Sequence, residues 1–140
     1  MILTIIIPVF NEKNTIKKIL KKIESVKGIK KQIILVDDGS SDGTRQIIEK
    51  NLQNKVDKTI FHKINKGKGA AIISSIKYIK GNLVIIQDAD LEYNPKDYFK
   101  LIKPFSKNKT KVVYGSRVLG RKKNINIFNL NDFSKNIRIF

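Results

Sequence analysis

Apolar residues gather in five short runs, at Leu3–Pro8, Gln32–Asp37, Lys58–His62, Leu83–Ile86 and Lys111–Tyr114. Their length and their polar or glycine-bearing boundaries predict buried β-strands. Between the runs the period changes. Ile16, Ile19, Leu20, Ile23 and Val26 recur every three or four residues with lysines on the other face, which predicts a helix capped by Asn11 and ended by Gly28. Asp42-Gly43-Thr44 leads into a second helix carrying Ile47, Ile48 and Leu52, with Asp42 as a candidate cap. The glycine turn Gly67–Gly69 opens a third helix, Ala70–Ile79, that stops at Gly81. Asn94-Pro95 sets a fourth, with Tyr98, Phe99, Leu101 and Ile102 as packing residues ahead of Pro104.

Strands alternating with helices through short links predict an α/β fold with a doubly wound, mostly parallel sheet. In such sheets ligands bind outside the carboxyl ends of the strands. The period is lost from Leu119 onward, where the segment is rich in Asn and Lys. We therefore expect a core over residues 1–118 and, over 119–140, a loop entering an element that the chain does not complete.

At 140 residues, with 41% hydrophobic content, the chain has the size of one domain. It has no cysteine, so disulfides and Cys-ligated zinc or iron–sulfur sites are excluded. MILTIIIPVF has no basic segment ahead of its apolar run and meets Pro8 early, so it reads as a buried strand rather than a signal peptide. No stretch reaches the roughly 20 apolar residues of a membrane span. A cytoplasmic protein is expected.

The net charge of +17 changes this picture less than its size suggests, because only four of the 29 basic residues (Arg45, Arg117, Arg121 and Arg138) are arginine. Bidentate reading of bases and phosphates rests mostly on arginine, which argues against a nucleic-acid partner. A solvated lysine surface, or attraction to an anionic membrane through residues such as Lys122, Lys123, Lys135 and Arg138, fits better.

The acids are fewer and more telling. Of twelve, seven (Glu12, Asp37, Asp38, Asp42, Asp88, Asp90 and Glu92) fall in three short clusters, each just beyond a predicted strand. Gln87-Asp88-Ala89-Asp90-Leu91-Glu92 sets two carboxylates about one small residue. Their hard oxygens suit Mg²⁺ or Mn²⁺, which commonly hold substrate phosphates as well. The alternative is a loop of capping acids ahead of Pro95. Val36-Asp37-Asp38-Gly39-Ser40-Ser41-Asp42-Gly43-Thr44 opens a strand into a loop whose glycines allow close backbone approach, and Pro8-Val9-Phe10-Asn11-Glu12 follows the first strand likewise, a ligand loop or another cap.

In this order PVFNE, DDGSSDGT, NKGKGAA, QDADLEYNP and YGSR resemble the motif series of family-2 glycosyltransferases of the GT-A fold. The similarity runs from about Leu3 to Leu119 and is greatest to the branch that acts on polyprenyl phosphates, the dolichyl-phosphate mannose synthases and their bacterial relatives. It implies that Pro8, Phe10, Glu12, Asp37 and Asp38 bind the nucleotide of a UDP- or GDP-sugar, Phe10 standing where the family often has Tyr. Lys68 would approach the nucleotide side of the cleft. Asp88 and Asp90 would hold the divalent ion and the diphosphate, Asp90 more directly, with Glu92 assisting. Arg117, and Arg138 as a second arginine, would face the acceptor phosphate.

Gly67-Lys68-Gly69 lacks the third glycine of the dinucleotide fingerprint, no P-loop occurs, and PVFNE stands where sugar nucleotidyltransferases carry a glycine-rich signature. His62, the single histidine, is expected to be structural. A lipid phosphate acceptor is largely dianionic at neutral pH, with a second pKa of ~6, and needs no protein base. Such transfer would invert the anomeric centre. A hydroxyl acceptor on a polysaccharide would instead need a carboxylate base, which that branch supplies from beyond the length of this chain. The resembling enzymes continue well past YGSR, so the chain reads as truncated relative to them, and a nucleotide-sugar-binding piece without catalysis is the other expectation.

Overall fold

The computed structural model describes residues 1–106, 110–113 and 138–139. Among these described residues five parallel strands, β1 (Ile2–Val9), β2 (Lys30–Asp37), β3 (Lys58–Phe61), β4 (Leu83–Ile86) and β5 (Arg138–Ile139), stand in the order β3-β2-β1-β4-β5. β1 is central, in register with both neighbours, so that Ile5 faces Ile33 on one side and Ile85 on the other.

Side chains on a strand alternate faces, and the two faces of this sheet are both covered. Leu3, Ile5, Ile7, Ile33, Leu35, Leu83 and Ile85 join Ile16, Ile19, Leu20 and Ile23 of α1 (Ile16–Ser25) in one core, which also takes in Ile48, Leu52 and Tyr98. Ile34 and Val36 point the other way, to Ala71 of α3 (Lys68–Ser75). The expected doubly wound sheet is what these faces build. Between them in sequence, α2 (Thr44–Ile47) runs on through a wider π-helical turn, Ile48–Leu52. A 3₁₀ turn, Pro95–Asp97, leads into α4 (Tyr98–Ile102), and the Asn94 side chain accepts from the Lys96 amide as its cap.

Five sequence expectations are corrected. Lys111–Val113 forms no strand, although Val113 is buried, and the edge beside β4 is held by β5 from the tail. That tail therefore contributes to the sheet, whereas the sequence leaves it without an element; Tyr114 lies outside the described residues. Asn11 does not cap α1, whose N-cap is Thr15. Phe99 is 52% exposed rather than packed, with its ring against Gly28. Gly28 lies beyond the helix end, whose C-cap is Val26.

Thr4 and Gln32, polar residues buried in the two longest strands, have partners, whereas Thr59 Oγ1 in β3 is buried without one among the described residues. The Thr4 hydroxyl donates to Gln32 Oε1 (2.7 Å), Gln32 Nε2 donates to the Tyr78 carbonyl (2.8 Å), and the Lys80 and Gly81 amides donate back to Gln32 Oε1 and Thr4 Oγ1. This network fastens the α3–β4 connection across β1 and β2. It also explains Gly81: a Cβ there would lie 2.5 Å from Thr4 Oγ1 and 2.7 Å from the Ile2 carbonyl oxygen. Gly81→Ala is expected to cost about 2 kcal/mol by overpacking, read as a lower denaturant midpoint. No helix among the described residues is long and apolar enough to cross a membrane.

Candidate functional site

The loops that leave β1, β2 and β4 at their carboxyl ends, with the turn between β3 and α3, enclose a cleft of about 280 Å³. Pro8, Val9, Phe10, Asp38, Asn65, Gly67, Lys68 and Asp88 line it. Five residues singled out in sequence thus meet: Pro8, Phe10, Asp38, Lys68 and Asp88. Asn65 and Gly67 belong to the same turn as Lys68, and only the lysine carries an expectation from sequence.

Tandem Asp37 and Asp38 part company because the alternation of β2 continues through them. Asp37 keeps the parity of Ile33 and Leu35, is fully buried, and pairs with Arg45 of α2 (Nε–Oδ2 2.8 Å). The Arg45 guanidinium also donates to the His62 carbonyl and lies over the Phe61 ring, 5.2 Å from its centroid. Asp37 therefore holds loops together and does not line the cleft. Asp38 keeps the parity of Ile34 and Val36 and turns toward α3. It accepts from the Lys66 amide (3.0 and 3.2 Å to its two oxygens), the Gly67 amide (2.7 Å) and His62 Nδ1 (2.6 Å). Burial works against its charge, but the His62 bond and the two amides outweigh it and hold the carboxyl below the ordinary carboxylate range.

Glu12 also misses the lining. Its amide donates to Thr44 Oγ1 (2.8 Å) and its carboxylate accepts from the Thr15 hydroxyl. Around it the β1 and β2 loops are zipped: Asn11, in the left-handed region at φ 56°, accepts from the Ser41 amide (2.9 Å), and Asp42 accepts from the Lys13 amide (3.2 Å). Asp42 also accepts from the amide (3.0 Å) and hydroxyl (2.5 Å) of Thr44, satisfying an orphan donor at the start of α2, but it does so from outside the cap position expected of it, since the N-cap is Gly43. Here too burial opposes ionisation, and the Thr44 and Lys13 bonds prevail, lowering the carboxyl.

Lowered folded-state values mean that Asp38 and Asp42 stabilise the fold fully above the unfolded carboxylate pKa of ~3.9 and lose that effect as pH falls through their folded values. Their contribution to the unfolding free energy should be complete above about pH 5 and fall below about pH 4. Asp38→Asn should flatten that acid limb in urea titrations run at each pH.

On β4's side, Gln87 sets the acidic loop. Buried, it accepts from the Tyr98 hydroxyl (2.8 Å), and its amide nitrogen donates to the carbonyls of Asp88 (3.1 Å) and Tyr93 (3.2 Å). Neither Gln87 nor Tyr98 is a site residue by sequence; only an apolar strand ending in a buried amide hints at one. Within the loop Leu91 takes φ 70°, a conformation side chains rarely adopt, and the Glu92 amide donates to Asp90 Oδ1 (2.9 Å). Asp88 points into the cleft and pairs with Lys68 (2.5 Å) across it. Asp90 and Glu92 are exposed on the same loop. Arg117 lies outside the described residues, and Arg138 is described only as part of β5.

Among the described residues no three acidic or histidine side chains converge on a point that could hold a metal. A closed protein cage is thus not what these residues build. One or two carboxylates at the mouth of a cleft suit Mg²⁺ or Mn²⁺, ions that keep water and substrate phosphate oxygens as their other ligands. The donor set fits that kind of ion.

The model of the family described as "Glycosyl transferase family 2" matches residues 4–139. The chain belongs to glycosyl transferase family 2. Among its relatives in this family, the undecaprenyl-phosphate 4-deoxy-4-formamido-L-arabinose transferase of Edwardsiella ictaluri is 36% identical over 104 residues, covering 71% of this chain and 32% of that protein. The dolichol-phosphate mannosyltransferase of Pyrococcus furiosus is 30% identical over 118 residues, 84% of this chain and 33% of its own length. The chain therefore spans about a third of these relatives. A mannosyltransferase from Pyrobaculum calidifontis, solved with GDP-mannose and Mn²⁺, superposes with a TM-score of 0.70 at 23% identity over 82% of this chain and 35% of that one. Glucosyl-3-phosphoglycerate synthase from Mycobacterium tuberculosis, solved with Mn²⁺ and UDP, gives 0.62 at 21% over 86% and 46%. The family-2 chain has the GT-A fold that its motif series implies.

Proposed function

We propose that this chain carries the donor-binding part of an inverting glycosyltransferase, which moves a sugar from a UDP- or GDP-sugar to a polyprenyl phosphate at the cytoplasmic face of a membrane. The observation that carries this reading is one cleft, at the carboxyl ends of β1, β2 and β4, lined by an aromatic ring, a buried carboxylate, a lysine and the first acid of the Asp88-Ala89-Asp90 pair. Two relatives named for undecaprenyl-phosphate and dolichol-phosphate transfer support the acceptor class.

Pro8 and Phe10, the latter 46% exposed, offer a flat apolar wall for a nucleoside base. Asp38 presents the turn that carries Lys68, and the lysine brings positive charge toward the diphosphate. Asp88 and Asp90, with Glu92, would hold the divalent ion, which when bound supplies charge to offset that of the departing nucleoside diphosphate. Arg117 would orient the acceptor phosphate, whose own charge makes it a nucleophile without a protein base; Arg138, expected from sequence to join it, stands opposite Leu83 at the amino end of β4, away from the carboxyl-end cleft. Positioning then dominates the rate, and attack from the face opposite the leaving group inverts the anomeric carbon.

The test is transfer of labelled sugar from UDP-glucose, UDP-N-acetylglucosamine or GDP-mannose to undecaprenyl or dolichyl phosphate by the full-length protein. A lipid-phosphate glycoside of inverted configuration is expected. Product only on unphosphorylated hydroxyl acceptors would overturn the acceptor assignment, and retention of configuration would overturn the inverting mechanism.

A further inference from the structure

His62 stands just past β3, away from the cleft lining, yet it bridges the elements that shape the cleft. Its Nδ1 meets Asp38 Oδ1 at 2.6 Å, and its Nε2 meets Ser74 Oγ on α3 at 3.0 Å. With Asp38 ionised, Nδ1 carries the proton and donates. Nε2 is then an acceptor for the Ser74 hydroxyl, which also lies 2.9 Å from the Ala71 carbonyl, so the ring is tied to the body of α3. The imidazole is mostly enclosed, with 10% of its side chain exposed.

What Asp38 does with its remaining capacity gives this bridge a consequence. Its two oxygens accept the Lys66 and Gly67 amides, and those residues form the turn that places Lys68 against Asp88. Gly67 itself sits at φ 87°, and Gly39 packs against the turn from below, since a Cβ there would lie 2.5 Å from the Ile64 carbonyl carbon. Within the turn the Gly67 amide also donates to Asn65 Oδ1 (3.0 Å), but the bonds that tie the turn to β2 run through the Asp38 carboxylate, whose side-chain partner is the His62 imidazole. We propose that His62 is a positioning residue for donor binding: by orienting Asp38 it fixes the turn of Asn65 to Lys68 on the nucleotide side of the cleft. This rests on the donor-site reading above.

Aspartate–histidine–serine contacts of this kind also occur in nucleophilic sites. Here the serine lies inside α3 and the cleft is lined by other residues, so the set orients rather than attacks.

Two isosteres separate positioning from general stability. Asn keeps a donor where Nδ1 stands, and Gln keeps one where Nε2 stands. Donor binding by calorimetry with Mn²⁺, and amide hydrogen exchange at Lys66 and Gly67, should be measured for the wild type, His62→Asn, His62→Gln and His62→Ala. Loss of a charge-assisted bond predicts about tenfold weaker nucleotide-sugar binding and faster exchange of those two amides in His62→Ala and His62→Gln. His62→Asn should stay within about threefold of the wild type on the same grounds. Equal exchange and equal affinity in all four, or a Gln variant that rescues while Asn does not, would overturn the inference. Should the wild type bind no nucleotide sugar, the donor reading fails, and exchange at Lys66 and Gly67 still decides the role of His62.

Discussion

Asp38→Ala is expected to lower the unfolding free energy by about 3 kcal/mol, because it strands two donors, the Lys66 amide and His62 Nδ1, each worth roughly 1 to 3 kcal/mol when buried without a partner. It also leaves the Gly67 amide with Asn65 Oδ1 (3.0 Å) as its remaining acceptor. Water reaches the turn at Lys66, which keeps the total below the simple sum. The same change frees the turn that carries Lys68, so nucleotide binding should fall with stability. Asp38→Asn keeps one acceptor oxygen and should cost less than half as much. Chemical denaturation of the two variants checks this, and a loss under about 1 kcal/mol in Asp38→Ala would mean that the turn is held by something other than this carboxylate.

Asp90→Ala should do the reverse. Asp90 is exposed, and the one hydrogen bond shown for it is that accepted from the Glu92 amide, so folding stability should change by less than about 0.5 kcal/mol. Transfer activity of the full-length protein should nevertheless fall on the order of 100-fold or more, the usual scale for removing a group that stabilises developing charge. Asp88→Asn should also weaken metal-supported binding, and in addition it breaks the pair with Lys68. A variant that is unstable as well as inactive would point to a structural loop instead of a ligand.

The contrast between these two acids shows what the sequence could and could not convey. Continuous apolar runs of strand length and a helical period of 3.6 are enough to find β1, β2, β4 and α1, because Ile5, Ile33, Ile85 and Ile19 are core residues whose burial sets the pattern. The alternation of β2, followed past Val36, separates Asp37 from Asp38: odd positions face α1 and α2, even ones face α3. The motif resemblance treats both as nucleotide ligands, and only the continued alternation assigns one to Arg45 and the other to the cleft. Val113 is buried as its apolar run implies, but a strand needs an edge to pair with, and β5 occupies the one beside β4. Asn11 spends its side chain on Ser41, thirty residues away, and no local rule of helix capping contains that partner. Gln87 and His62 were invisible as site residues for the same reason: each acts through contacts made only when distant segments meet.

The central claim is that the cleft binds a nucleotide sugar with a divalent ion held by the acidic loop. Calorimetric titration of UDP-glucose, UDP-N-acetylglucosamine and GDP-mannose, with Mn²⁺ and with chelator, on the native chain and on Asp90→Ala tests it most directly. The account predicts that one of these donors binds the native chain in Mn²⁺, and that chelator or Asp90→Ala removes the binding while the fold is retained. Folded native protein that binds none of them in any condition, or binds equally well in chelator and in Asp90→Ala, would contradict it.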